Sequence, residues 1–311
     1  MTLSFYSNYF PWYSNDSKHN YQKRMNIKLI KKPLAWIVDS TVYLSEKLKN
    51  HPDCFSIPLN IFFGDKQYTD GVDLTTLELY EKIKNAKEFP KSSQPSAGAF
   101  AEKYKVLAEE YDEAIAIHLS DKLSGTLTSS KSGAEMTGFP VTFIDSLSLS
   151  YGTTALVERG MEMHENGASV SEIEAALTAM AGSVNNYISF GNLEQLYKGG
   201  RVGGMQFFLG SLLKVKPIVQ MSKIGELDPI DKVRSEKRAL KYLIDKSVDA
   251  YSRGIQKIYL MHGNALAQAE NLKNLIIEQA PNVEVEIGEL SSVLAVHAGE
   301  GTLGILWVED E

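Results

Sequence analysis

After Pro33 the chain alternates short apolar runs with longer amphipathic stretches, and this alternation constrains the fold more than any other feature. The runs 34–38 and 114–119 are apolar enough for buried strands, whereas the segments at about 75–85 and 98–110 place apolar residues at helical spacing. Further strands are predicted at 56–63 and 141–145, and further helices from about 125, at about 153–166 and at about 171–182. Parallel strands need long connections, which helices usually supply. The first half is therefore predicted to be a three-layer α/β/α domain built on a parallel sheet.

The second half of the chain arranges its strand and helix patterns differently. Strands are predicted at 187–190, 215–221, 226–233, 255–261, 283–289 and 303–308, and helices at about 235–252 and 266–279. The strands at 215–221 and 226–233 follow each other without a helix, which favours a mixed sheet. We therefore expect two α/β domains, over residues 33–160 and 161–311. The helix at about 171–182 is expected to begin the second.

Residues 1–32 differ from the rest of the chain. Aromatic residues from Phe5 to Tyr13 lie among Ser and Asn, and a basic stretch follows from Lys18 to Lys32. Aromatic clustering without a helical or strand period specifies no element, so we expect a poorly ordered N-terminal extension. A protein start at Met25, or a role as a lid or docking arm, are the alternatives.

Composition and charge exclude several classes of protein. The formal net charge of −7 and the absence of a dense Lys/Arg run argue against a nucleic-acid surface, which needs a basic stripe. Cys54 is the only cysteine, so a disulfide framework and a cysteine-rich zinc site are excluded. The apolar runs are far shorter than the roughly 20 residues that span a bilayer. We expect a cytoplasmic protein that is neither inserted nor exported, binds no nucleic acid and needs no cofactor.

Polar clusters follow several of the predicted strands, where ligands of parallel α/β domains usually bind. These clusters are 39–41 (Asp-Ser-Thr), 92–96 (Ser-Ser-Gln-Pro-Ser), 119–126 (Leu-Ser-Asp-Lys-Leu-Ser-Gly-Thr) and a loop around His297 punctuated by glycines. Each has a plainer alternative, because Ser, Thr and Asp also cap helices and a buried His is often tied to backbone. The start of a helix near Gly125 would suit an anion.

The sequence lacks the common nucleotide and metal motifs. It has no Gly-x-x-x-x-Gly-Lys-Ser/Thr loop, no Gly-x-Gly-x-x-Gly fingerprint and no His-Glu-x-x-His pair. The glycine-rich run 198–204 has the wrong spacing for a dinucleotide and suits a surface contact better. Ser124 does not lie in the Gly-x-Ser-x-Gly elbow typical of hydrolases, which weakens a serine-nucleophile hypothesis.

Taken in order, nine segments after Pro33 resemble the DegV family. They are Val38-Asp39-Ser40-Thr41, Ile57-Pro58-Leu59, Tyr68-x-Asp70-Gly71-Val72-Asp73, Ser92-Ser93-Gln94-Pro95-Ser96, His118-Leu119-Ser120-x-x-Leu123-Ser124-Gly125-Thr126, Ile144-Asp145-Ser146, Lys198-Gly199-Gly200-Arg201, Val233-Arg234-Ser235 and His297-x-Gly299-x-Gly301. Each segment alone is a weak signal, but the ordered set with this spacing is specific.

The resemblance implies a two-domain protein that holds a long-chain fatty acid in an apolar tunnel between its domains. It implies a carrier without catalytic residues, whose bound carboxylate is phosphorylated to an acyl phosphate by a separate ATP-binding fatty acid kinase subunit. Transient contact with a membrane surface would fit this role. By position, the carboxylate-binding residues are Ser92, Ser93, Ser124, Gly125 and His297, and the residues facing the partner kinase are Arg201 and Arg234.

Three residues depart from the family pattern. Tyr43 stands where an acidic residue is common, Ser92 replaces a threonine and Glu300 replaces a proline. A carboxylate near His297 would favour a protonated imidazole, so we expect Glu300 to alter the titration of the site.

Two alternative functions stay open at this point. One is a serine lipid hydrolase with Ser124 as nucleophile, His297 as base and Asp39 or Asp145 as orienting group. The other is a regulatory protein that responds to lipid.

Overall fold

The helices and strands largely follow the predicted order over residues 31–191, 193–201 and 216–309, the parts of the chain that this computed structural model describes. The strands are β1 (Lys32–Asp39), β2 (Cys54–Ile57), β3 (Asn60–Phe63), β4 (Lys66–Thr69), β5 (Lys91–Ser93), β6 (Tyr111–His118), β7 (Val141–Asp145), β8 (Val184–Ser189), β9 (Lys216–Met221), β10 (Leu227–Val233), β11 (Lys257–His262), β12 (Glu284–Glu289) and β13 (Leu303–Val308). The helices are α1 (Glu46–Lys49), α2 (Thr76–Asn85), α3 (Ala97–Glu110), α4 (Thr126–Thr137), α5 (Tyr151–Glu165), α6 (Val170–Ala181), α7 (Leu193–Lys198), α8 (Glu236–Ser252), α9 (Leu266–Gln279) and α10 (Ser292–Ala298).

The first sheet is parallel, with strand order β2-β1-β6-β7. Successive side chains of a strand point to opposite faces, so β1 supplies two separate cores. Trp36 and Val38 pack with Leu156 of α5 on one face, whereas Ile37 packs with Phe100 of α3 on the other. The predicted three-layer α/β/α arrangement is confirmed.

The second sheet is mixed, with strand order β10-β9-β8-β13-β11-β12. Its β11–β12 pair is parallel and the remaining neighbours are antiparallel. One face packs against α8 and α9 through residues such as Leu243, Leu272 and Trp307. The other face, with Ile188 and Leu306, packs towards α5 of the first half. The mixed sheet predicted for this half is confirmed.

A third, small sheet of order β4-β3-β5 corrects the prediction of one strand over 56–63. Ile57 pairs with Asp39 in the first sheet, whereas Asn60 begins a strand that pairs with β4 and β5. Pro58 lies between the two strands, and proline has no backbone N–H to continue a ladder. The chain therefore changes sheets here, and the small sheet positions Ser92 on β5.

Helix α6 does not pack where the sequence suggested. We expected it to begin the second domain, but Ile173 and Leu177 lie in one core with Trp36 of β1. The division of the chain at residue 160 stays a proposal, and this contact argues against so early a boundary. The N-terminal extension lies outside the described residues except for its last two, of which Lys32 begins β1.

A second correction concerns the segment around His297, which we expected to be a loop. It forms the last turn of α10, which ends at Gly299 with a φ of 79°. That left-handed conformation costs glycine little, which explains why the helix ends there. Among the described residues, no helix is both long enough and apolar enough to cross a membrane.

Candidate functional site

A cavity lies between the two halves of the chain, with about 850 Å³ of empty space including its mouth. The first half contributes Leu119 and Leu149 to its wall, and the second half contributes Ile188, Met261 and Leu306. Other apolar wall residues are Leu59, Leu123, Phe190, Leu196, Leu227, Leu290, Val293, Leu294 and Ala298. Mainly apolar walls with a few polar groups among them are typical of a site for a small organic ligand.

Ser92 and His297 form a hydrogen-bonded pair in the cavity wall. Ser92 Oγ lies 2.6 Å from His297 Nε2, which joins β5 of the small sheet to the last turn of α10. The other ring nitrogen, Nδ1, is buried and has no hydrogen-bond partner among the described residues. A buried polar atom without a partner is costly, so the described residues alone leave the hydrogen bonding of this ring incomplete.

The imidazole of His297 is neutral at physiological pH. Burial and the nearby positive charge of Arg201 lower its pKa to about 4. The expectation that Glu300 would favour the protonated ring is wrong, because the Glu300 carboxylate points to other partners. It accepts a hydrogen bond of 2.6 Å from Asn264 Nδ2 and lies 4.0 Å from Lys84 Nζ, at the exposed end of the turn.

Gly199 lets the backbone approach the His297 ring. A Cβ built on this glycine would lie 2.2 Å from His297 Nδ1, so any side chain would displace the imidazole. The turn that contains Gly199 follows α7, whose Gln195 side chain donates to the carbonyl of Val296 in α10. Helix α7 and the turn after it therefore fix the position of the histidine.

Arg201 lies in the wall of the same cavity. Its Nε donates to the carbonyl of Leu123 at 3.3 Å and its guanidinium NH1 donates to the carbonyl of Gly199 at 2.7 Å. Burial lowers its pKa, but a guanidinium stays charged under all ordinary conditions. The arginine that we assigned to a partner-facing surface thus places a positive charge beside His297. Arg234 is exposed, directly after β10.

Ser124 contributes a second hydroxyl to the cavity wall, just before α4. Its Oγ is hydrogen bonded to Thr126 Oγ1 at 2.8 Å. The backbone N–H groups in the first turn of α4 and the positive end of its dipole favour an anion nearby. A Cβ on Gly125 would lie 2.8 Å from Gln94 Nε2, so this glycine also makes room for that amide.

The structure distinguishes Ser92 from Ser93, which competed for one role in the sequence. Adjacent residues of a strand face opposite sides, and only Ser92 is part of the cavity wall. Ser93 Oγ is instead 3.5 Å from Asn60 Nδ2 of the neighbouring strand β3.

The residues proposed for a serine hydrolase do not come together as a triad. His297 is hydrogen bonded to Ser92, and Ser124 to Thr126. Asp145 accepts a hydrogen bond from the backbone of Leu147, and Asp39 belongs to a separate buried network. In a triad the nucleophile is hydrogen bonded to the base, and the base is hydrogen bonded to the orienting acid. Ser124, His297 and the two aspartates do not form such a chain of hydrogen bonds.

That buried network was not predicted. Asp39 accepts from His118 Nδ1 at 3.1 Å, His118 Nε2 is 2.9 Å from Ser130 Oγ, and Ser130 is 2.6 Å from the Tyr104 hydroxyl. Burial alone would raise the pKa of Asp39, but the hydrogen bonds from His118, Thr41 and the Leu119 backbone hold it below its usual value. All its members are buried, and only Thr41 and Leu119 also line the cavity, so the network ties β1 and β6 to α3 and α4.

The family comparison matches the model described as "Uncharacterised protein, DegV family" over residues 33–310. A DegV domain-containing protein of Halalkalibacterium halodurans is 34% identical over 88% of this chain and 98% of its own length. The structure of DegV, a fatty acid binding protein from Bacillus subtilis, is 30% identical, with a TM-score of 0.81 over 89% of this chain and 99% of its own.

A third relative supports the fold alone because its sequence identity is lower. The Streptococcus pneumoniae fatty acid kinase B3 protein, loaded with linoleic acid, is 22% identical, with a TM-score of 0.77 over 90% of this chain and 100% of its own. The family model, the curated relative and the Bacillus structure together span the whole region after Pro33. The chain belongs to the DegV family.

Proposed function

We propose that this protein holds one long-chain fatty acid in the cavity, with the carboxylate at the end formed by Ser92, Ser124, His297 and Arg201. One observation carries the proposal: a mainly apolar cavity between the two halves has the neutral Ser92–His297 pair in its wall. One ring nitrogen of this pair has no hydrogen-bond partner among the described residues. The Bacillus relative that is described as a fatty acid binding protein shares the fold at 30% identity, which supports the same ligand class here.

The apolar walls would supply most of the affinity. A saturated chain with ~14 methylenes, at about 0.8 kcal/mol for each buried CH₂, gains on the order of 10 kcal/mol before entropic costs. The Leu, Ile, Phe and Met side chains of the wall offer such a surface without a competing charge.

The polar end suits a carboxylate that must later react. An unpaired carboxylate in an apolar site is costly, whereas a tight bidentate pair with arginine would make it a poorer nucleophile. Arg201 already donates to the carbonyls of Leu123 and Gly199, so part of its donor capacity is used while its charge still acts on the site. The hydroxyls and the neutral imidazole can then satisfy the oxygens without adding charge.

We propose that the bound carboxylate is presented to a separate ATP-dependent kinase subunit and converted to an acyl phosphate. The sequence itself carries no nucleotide-binding motif, which fits a non-catalytic carrier in the cytoplasm. Exposed Arg234 remains the first candidate for partner contact, whereas Arg201 is partly buried in the cavity wall. Transient contact with a membrane surface would allow loading.

Mass spectrometry of the denatured protein tests the ligand class. We expect an acyl chain to be released after purification or after incubation with palmitate or oleate. Ser124→Ala should lower acyl-phosphate formation by a partner kinase more than it lowers stability, and Arg234→Ala should lower it without lowering lipid occupancy. Failure to detect any acyl chain after incubation would contradict the proposal, as would turnover of a p-nitrophenyl ester that Ser124→Ala abolishes.

A further inference from the structure

The amide of Asn186 lies in the cavity wall beside apolar residues and is unpaired within the part of the chain that the structure describes. Asn186 is only 1% exposed, and neither Nδ2 nor Oδ1 finds a hydrogen-bond partner among the described residues. Ile188 of the same strand, β8, and Phe190 directly after it also line the cavity, because residues two apart along an extended chain share a face. A buried amide whose N–H donors and carbonyl acceptor are all unused is a costly feature in a mainly apolar wall.

The neighbouring strand leaves this amide uncovered. Asn186 pairs with Leu306 of β13, and Gly304 lies two residues away on the same face. A Cβ built on Gly304 would still be 3.9 Å from Asn186 Oδ1, so the glycine leaves space beside the amide. The position is therefore open to a ligand group.

Asn186 lies in the first half of β8, whereas the segments that contact His297 follow the end of that strand. Strand β8 leads to Gly191, whose N–H donates to Thr302 Oγ1 at 2.8 Å, and then to α7 and the Gly199 turn that contacts His297. Four residues of strand, at ~3.3 Å each, put Asn186 roughly 13 Å from Phe190 along β8. A fatty acid bound by its carboxylate at His297 would thus bring the middle or far part of its chain to Asn186.

The chemistry of the amide selects the group that would meet it. An asparagine offers two donors and one acceptor, a hydroxyl can both donate and accept, and a methylene can do neither. A keto or ester oxygen would satisfy the donors alone. A secondary hydroxyl on the acyl chain matches both ends of the Asn186 amide.

Resting on the proposed function, we infer that the cavity is adapted to a long-chain fatty acid with a hydroxyl group along its chain. Asn186 is then the residue that sets the preference between hydroxylated and plain chains, and it acts independently of the carboxylate end.

Binding of a series of stearic acids, each with a hydroxyl at one mid-chain position, tests the inference with the delipidated wild-type protein. We expect one position, or two adjacent ones, to bind about tenfold tighter than stearate, since pairing a buried polar group is worth roughly that factor. A flat profile, with every hydroxylated chain weaker than stearate, would overturn the inference and would mean that water satisfies the amide.

Two variants assign the preference to this residue. Asn186→Leu should bind stearate more tightly than wild type and should lose the preferred hydroxyl position, a reversal that general destabilisation does not produce. Asn185→Leu is the matched control, because Asn185 is adjacent on β8, lies opposite Trp307 and is not part of the cavity wall. It should keep the wild-type profile.

The same experiment separates the two proposals. If the wild-type protein binds neither stearate nor any hydroxylated chain, the proposed function fails. If it binds stearate but the positional profile is unchanged in Asn186→Leu, only the role of Asn186 fails. Should Asn186→Leu not fold, Asn186→Ala gives the same comparison with a smaller change in volume.

Discussion

Two places in this molecule pair a histidine with a serine, and they differ in what surrounds the pair. At His118 both ring nitrogens have partners, Asp39 and Ser130, and the side chain is fully buried. At His297 one nitrogen meets Ser92 while the other has no partner, and the ring forms part of a cavity wall. The same residue types are thus a structural network in one place and an incomplete site in the other.

Complete hydrogen bonding, more than residue identity, distinguishes the structural histidine from the histidine of the candidate site. The Asp39–His118–Ser130 arrangement has the composition of a catalytic triad, yet its members have no access to a ligand. Among the described residues no carboxylate is hydrogen bonded to the Ser92–His297 pair, and yet this pair faces the cavity.

The largest expected effect comes from breaking the satisfied network. Asp39→Ala leaves His118 Nδ1 and the backbone N–H groups of Thr41 and Leu119 buried without an acceptor. We expect the free energy of unfolding to fall by about 3–5 kcal/mol, measured by urea denaturation. Asp39→Asn, which keeps the shape and one acceptor, should lose less. A loss below about 1 kcal/mol for Asp39→Ala would contradict a structural role.

A second effect follows from the depressed pKa of His297. With a folded pKa of about 4 and an ordinary value near 6.5, the unfolded chain binds more protons between these values. The neutral ring therefore contributes stability above about pH 6.5 that is lost as the pH falls towards 4. When the pH falls from 7 to 4, wild type should lose about 3 kcal/mol more of its free energy of unfolding than His297→Gln loses.

The pH comparison must be made as a difference between the two delipidated proteins. Burial raises the pKa of Asp70 to about 6, which has the opposite sign and stabilises the folded state as the pH falls. Asp70 is present in both proteins, so its contribution cancels in the difference. If the two proteins lost stability in parallel down to pH 4, His297 would not be buried as a neutral group.

The smallest effect distinguishes the two adjacent serines. Ser92→Ala removes the partner of His297 Nε2 and should weaken fatty acid binding by about tenfold. Ser93→Ala, whose side chain lies on the other face of β5, should change affinity less than about twofold. Isothermal titration with oleate measures both. Equal losses would mean that the hydroxyl facing the cavity has been wrongly identified.

Much of the fold was predictable from local patterns in the sequence. The apolar runs that became β1, β6, β7 and β13 are long and regular enough to identify as strands. The small sheet was missed because β5 has only three residues and because Pro58 divides an apparently continuous strand. Such short strands are specified by their neighbours and not by their own pattern.

The site was only partly predictable, because contacts between segments distant in sequence decide which side chains line the cavity. Ser124 and His297 were found from position in the sequence and do line the cavity. Glu300 was misjudged because closeness in sequence does not give direction. It lies only three residues after His297, but its carboxylate points towards Asn264. The position of the Asn186 amide in the cavity wall could not be predicted, since only the strand pairing shows which face of the sheet it occupies.

If the incomplete site at His297 binds a fatty acid, the carboxylate lies beside Ser92 and not beside Ser93. Palmitate labelled with ¹³C at the carboxyl carbon, added to delipidated protein, tests it directly by NMR. We predict one resonance for the bound carboxyl group that moves in Ser92→Ala and stays in place in Ser93→Ala. Absence of a bound resonance, or a resonance that neither variant moves, would contradict the account.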